Sequence, residues 1–158
     1  MKRSRITRII ISILICLLVG MLSGFVTRSS VTEWYPTLEK PFFTPPNWLF
    51  APVWTFLYIS MGIAAGIVWA RGFYHKWVQT AMYHFVFQLI FNAFWPVVFF
   101  GFKKPFLGLL VILTLFILLI FTYKWFKIVS KPAAYLLIPY LIWIGYATAL
   151  NFEIWRLN

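Results

Sequence analysis

Five side chains able to do specific chemistry lie inside apolar stretches: Trp54, Trp95 and Trp143, with Gln88 and Asn92. Indoles stack and carry one N–H donor, while primary amides both donate and accept. None of these groups titrates near neutrality, so they suit binding by stacking and hydrogen bonding better than acid–base catalysis. Their spacing groups them further. His84, Gln88, Asn92 and Pro96 recur every four residues, which on a helix makes one stripe with Trp95 beside it. Pro139, Trp143, Ala147 and Asn151 repeat that spacing, and Trp54 is followed four residues on by Tyr58. Uncompensated amides do not face lipid, so Gln88 and Asn92 either hydrogen-bond between helices or offer polar contacts to a ligand. His84 reads as a packed histidine, because no second histidine or thiolate sits on a facing segment at similar depth. For the same reason neither a metal site nor a nucleophile–base pair is expected.

The elements that must hold these groups are membrane spans. Of 158 residues, 63% are hydrophobic and 11% charged, and the mean hydropathy is +0.87, too apolar for a soluble domain of this size. Glu33, Glu39, Glu153 and nearly all the basic residues fall outside the apolar runs or at their edges. A charge at the bilayer centre costs about 2.5–3.5 kcal/mol, which explains that placement. The net charge of +11 is dispersed in small groups between the runs. Lacking a basic helical face, it argues for membrane orientation and against a nucleic-acid partner. Cys16, the single cysteine, lies inside the first run, so no disulfide framework is expected.

Uncharged runs at about 9–27, 47–70, 77–102, 105–123 and 132–152 predict an all-α integral membrane bundle of five transmembrane helices in one domain, 1–158. The first run is expected to remain as an uncleaved helix, since Met21 and Leu22 stand where a small residue should precede a cleavage site. Gly20 with Gly24, and Gly62 with Gly66, are small-xxx-small pairs that admit close neighbours. The fourth run is nearly all Leu, Ile, Val and Phe and is assigned to lipid contact and packing. The fifth kinks, if anywhere, at Pro139. Five spans divide the basic residues nine to five, with the nine on the N-terminal side, which predicts a cytoplasmic N-terminus.

Between the first two runs, about 28–46, lies a stretch expected to act as a lid on the outer face. Pro36, Pro41, Pro45 and Pro46 forbid a regular helix there, and Trp34, Tyr35, Phe42, Phe43 and Trp48 are expected to pack on the bundle. At about 1.5 Å per residue, Trp54 lies roughly 11 Å from the outer end of its span, while Asn92 and Trp143 lie roughly 22 and 17 Å from the inner ends of theirs. All three converge beneath the lid. A site of indoles, phenols and amides without a buried charge suits a large, flat, weakly polar ligand.

Several ordered motifs carry a resemblance across essentially the whole chain. They are Trp34-Tyr35, Leu38-Glu39-Lys40-Pro41, Thr44-Pro45-Pro46-Asn47-Trp48, Pro52-Val53-Trp54 and Leu57-Tyr58, then Gln88, Phe91-Asn92, Trp95-Pro96 and Phe99-Phe100-Gly101. Pro139-Tyr140-Leu141-Ile142-Trp143, Ala147-Thr148 and Leu150-Asn151-Phe152 complete the set. Together they resemble the TspO/MBR family, the tryptophan-rich sensory and translocator proteins. That resemblance implies a homodimer in the lipid bilayer with small residues at its seam. It also implies a pocket for protoporphyrin, haem-related tetrapyrroles, sterols such as cholesterol, or isoquinoline and benzodiazepine-type drugs. By the same resemblance Tyr35, Pro45 and Leu49 close the pocket, and Trp54, Asn92, Trp95, Trp143, Ala147 and Leu150 line it. Tyr58 and Gln88 join them from the spacing above. Trp54 and Trp143 stand where relatives have tryptophans implicated in light-dependent porphyrin breakdown, which makes them the catalytic residues of an alternative, enzymatic reading. No cofactor is required for binding, and any catalysis would borrow the photochemistry of the porphyrin. The vertebrate sterol motif is partly kept, with Leu150 and Arg156 present and Phe152 in place of its tyrosine. A bacterial envelope and a mitochondrial outer membrane both accommodate such a chain.

Overall fold

The computed structural model describes residues 2–158. Its elements are α1 (Lys2–Glu33), a 3-10 turn (Tyr35–Thr37), α2 (Asn47–Trp69), α3 (Lys76–Pro96), a π-helical turn (Val97–Gly101), α4 (Pro105–Val129), α5 (Lys131–Tyr135) and α6 (Ile138–Leu157). Among the described residues, five helical stretches are long and apolar enough to cross a membrane, with α5 and α6 counting as one. The fold class expected from the apolar runs is therefore the one observed.

Element ends differ from the apolar runs for physical reasons. α1 has 32 residues, starting before and ending after the run 9–27. Apolarity marks only the part in lipid, whereas helical backbone continues until Pro36 is near. Residues 28–33, expected in the lid, are thus helical, and the irregular connection spans 34–46 with a 3-10 turn at its start. α4 likewise carries Lys124 and Lys127 in its final turns. At Pro96, which cannot donate to the preceding turn, the α-helix gives way to a wider π turn closed by Phe102 N–H to Val97 O at 2.9 Å. The last span is interrupted at Leu136–Leu137, so that Pro139, where the kink was expected, falls instead in the first turn of α6, which tolerates a proline. Gly72, at φ 110°, makes the turn from α2 to α3 in a region that side chains avoid.

Helices pair along the sequence. α1 packs along α2, α3 along α4, and α4 also receives α6, whereas α2 and α6 barely touch. Gly62 and Gly66 make the first pairing close: a Cβ at either would lie 2.6 or 2.4 Å from the Cα of Ile13 or Ile9. Those glycines serve packing within the chain. Arg8 of α1 donates to Trp69 O at 3.3 Å, satisfying a carbonyl at the C-terminus of α2.

Candidate functional site

The π turn and the interrupted last span bring the aromatic residues of α2, α3 and α6 together. Trp54 is the hub: its ring lies 6.4 Å from Trp95 in a stacked arrangement, 6.4 Å from Trp143 edge-on, and 5.8 Å from Tyr58. Of the three residues argued from helix depth to converge, Trp54 and Trp143 touch, whereas Asn92 joins Trp54 in the wall of a different hollow from those that Trp143 lines.

A chain of hydrogen bonds ties three spans behind this cluster. Tyr58 donates to Asn92 Oδ1 at 2.5 Å, Asn92 Nδ2 donates to the Tyr140 hydroxyl, and Tyr140 donates to Gln88 Oε1 at 2.8 Å. Gln88 and Asn92 are buried, with 0% and 1% of their surface exposed. A second link runs from Trp95 Nε1 to Asn151 Oδ1 at 2.9 Å, and from Asn151 Nδ2 to Pro105 O at 2.8 Å. Amides thus join the helices, as one of the two readings of Gln88 and Asn92 required. Asn92 also reaches a cavity wall, so the two readings meet in one residue. His84 leans on α4, its ring 6.2 and 6.1 Å from Phe121 and Trp125.

Three hollows adjoin the cluster. A cavity of about 500 Å³ lies between α1, the first half of α2 and the end of α3, with Trp54, Tyr58, Asn92 and Trp95 in its wall. A small pocket of about 30 Å³ sits beneath the connection 34–46, lined by Tyr35, Trp54, Trp95, Trp143, Ala147 and Leu150 among others. Tyr35, Phe50, Trp54, Trp95 and Phe100 belong to both walls. The third hollow is an open groove of about 410 Å³ between α2 and α6.

Placement of the expected site residues follows from these hollows. Tyr35, Trp54, Tyr58, Asn92, Trp95, Trp143, Ala147 and Leu150 line the cavity or the pocket. Pro45 and Leu49 instead line the outer groove with Pro139 and Ile142, because the rigid Pro45–Pro46 step carries the chain past the pocket to the α6 side. Gln88 stays behind the wall in the hydrogen-bond chain. Trp143 is shared between pocket and groove.

The connection 34–46 is fastened rather than loose. Tyr146 donates its hydroxyl to Phe43 O, and Asn158 exchanges two hydrogen bonds with the backbone of Glu39, at 2.9 and 3.1 Å. Of its five expected packing aromatics, Tyr35 is buried and Trp34 and Phe43 are half-buried. Phe42 and Trp48 are exposed, by 101% and 71%, on the outside of the bundle where a membrane interface accepts aromatic rings. Beneath it, the Tyr35 hydroxyl and Trp143 Nε1 are buried without a hydrogen-bond partner. Unpaired buried donors are costly, and both belong to residues lining the small pocket.

Sequence reasoning missed the contribution of α1 and several aromatic residues. Phe50, Phe99, Phe100 and Tyr146 line the pocket, but in a chain with 22% aromatic residues nothing marks them out. The α1 face comprises Leu17, Gly20, Gly24 and Arg28, and its available signal was the Gly20/Gly24 pair. A Cβ on Gly20 would strike the Tyr58 ring at 2.3 Å, whereas one on Gly24 would meet nothing within 4 Å. The pair therefore admits a side chain and an open space, not a second backbone.

The fold and the site together define a five-span helical membrane protein with an aromatic cavity between its helices. The chain belongs to the TspO/MBR family, whose family model matches residues 12–156. It is similar to the tryptophan-rich protein TspO of Archaeoglobus fulgidus, 46% identical over 153 residues that cover 97% of this chain and 98% of the relative. The tryptophan-rich sensory protein of Cereibacter sphaeroides is 39% identical over 126 residues, 80% of this chain and 77% of the relative. The translocator protein of Bos taurus is 35% identical over 140 residues, 88% and 83% respectively. The protein is thus an integral, multi-pass member of a family of membrane sensor and translocator proteins.

Proposed function

We propose that this protein is a receptor or carrier that takes a tetrapyrrole, protoporphyrin or a haem-related porphyrin, from the membrane into the aromatic cavity. The observation that carries the reading is the wall of stacked Trp54 and Trp95 facing a cavity of about 500 Å³. Such a wall binds a flat conjugated ring by stacking, and large apolar ligands need enclosing pockets of this order of size. The unpartnered Tyr35 hydroxyl and Trp143 Nε1 add donors for a polar edge once the side chains common to both walls part. Sterols and isoquinoline-type drugs share the flat, apolar character and are weaker candidates, since they leave more of these donors unused. Assembly as a homodimer belongs to the same reading.

The test is a titration of the purified protein in neutral detergent with protoporphyrin in the dark, following tryptophan emission. Saturable quenching is expected; a linear decline no steeper than that of free tryptophan would refute the site. A second reading, light-dependent porphyrin breakdown, draws on the contacts of Trp54 with Trp95 and with Trp143, a path of oxidisable rings through Trp54. Under illumination that reading requires a new absorbing product whose formation stops in Trp54→Phe and Trp143→Phe.

A further inference from the structure

We propose that Arg28 holds a carboxylate of the ligand at the mouth of the large cavity, so that the site selects anionic amphiphiles over neutral rings of the same shape. This deepens the binding reading above and rests on it. α1 contributes one stripe to the cavity, from Leu17 to Thr32, about 22 Å long at about 1.5 Å per residue. Its chemistry is graded along that length. Leu17 and Gly20 lie at the deep end, whereas Thr27, Arg28 and Thr32 lie at the other, with Asn47 opposite.

Arg28 is the one charged residue in the wall. The two threonine hydroxyls are already engaged, donating to Ser23 O and Ser29 O of their own helix at 2.9 Å each. Arg28 is an exposed residue, and the one ion pair among the described residues joins Arg156 to Glu153 elsewhere. Lys40, the other cation near this end, is held by Leu38 O at 3.0 Å and over the Tyr35 ring at 5.0 Å. A planar fork of donors therefore stands free at the mouth, suited to bidentate capture of a carboxylate. Arg28 also follows directly on the apolar run, at the depth where a lipid-dissolved amphiphile keeps its own charges. A ring stacked on the indole wall shares the cavity with that side chain, which is where a carboxylate edge would find its cation.

The experiment compares protoporphyrin with its dimethyl ester by tryptophan quenching in neutral detergent at low salt, for the natural protein, Arg28→Gln and Arg28→Lys. The diacid is expected to bind the natural protein about fivefold more tightly than the ester, the size of one exposed charged contact. Arg28→Gln should abolish that preference while leaving ester affinity unchanged, and Arg28→Lys should keep most of it. A preference that survives Arg28→Gln, or none in the natural protein, overturns the role of Arg28 while leaving the cavity reading standing. Failure of both probes to bind the natural protein brings down the cavity reading itself.

Discussion

Asn92 serves two masters: it accepts from Tyr58, donates to Tyr140, and still forms part of the cavity wall. Asn92→Ala is expected to cost about 1–3 kcal/mol, because the Tyr58 hydroxyl loses its acceptor in a region with no bulk water. Thermal unfolding in detergent measures that loss, and weakened protoporphyrin quenching should accompany it. Trp143 makes the opposite case. Its Nε1 has no protein partner, so Trp143→Phe breaks no internal hydrogen bond. A small change in melting temperature with a clear loss of porphyrin affinity is expected. Unchanged quenching in both variants would remove the proposed site from this part of the bundle.

The pairing of α1 with α2 depends on glycines in one place and tolerates them in another. Gly62→Val would drive its Cβ into the Ile13 backbone, which side-chain rotation cannot relieve. A destabilisation of about 1–3 kcal/mol is expected, read as a lower melting temperature. Gly24→Leu fills space that holds no neighbour; it should leave melting unchanged yet lower porphyrin affinity by occupying the cavity. Equal effects of both substitutions on melting would contradict the open space beside Gly24. These helices also mark the limit of what was legible beforehand. Span number, the stripe on α3 and the nearness of Trp54 to Trp143 all follow from apolar length and helical period, which are local properties. The reach of α1 beyond its apolar run was not readable, because hydropathy reports solvent and not backbone. Nor was the departure of Pro45 and Leu49 to the outer groove, which depends on the direction the chain takes after a proline pair. The α1 face escaped notice because glycines and small side chains leave no polar period to count.

Orientation in the membrane is governed by the cations that flank the spans. The nine-to-five division of basic residues predicts that the connection 34–46 faces outward. Thr37 is exposed at that end and Tyr74 at the other, on the turn from α2 to α3. In intact bacterial cells expressing the protein, Thr37→Cys should react with a membrane-impermeant maleimide, and Tyr74→Cys should react only after permeabilisation. The reverse pattern would invert the bundle. A last consequence comes from the way the helices pair, α1 with α2 and α3 with α4. Each pair joins neighbours in sequence, so each hairpin can close while later parts of the chain are still being synthesised. The large cavity is lined mostly by the first hairpin, and the end of α3 with its π turn supplies the remaining wall with Asn92, Trp95, Pro96 and Phe100. A ligand lodged there would touch both hairpins and so favour the state in which they are docked. By mass action it would then hold the newly made bundle shut, making the supply of ligand a control on how long the protein survives.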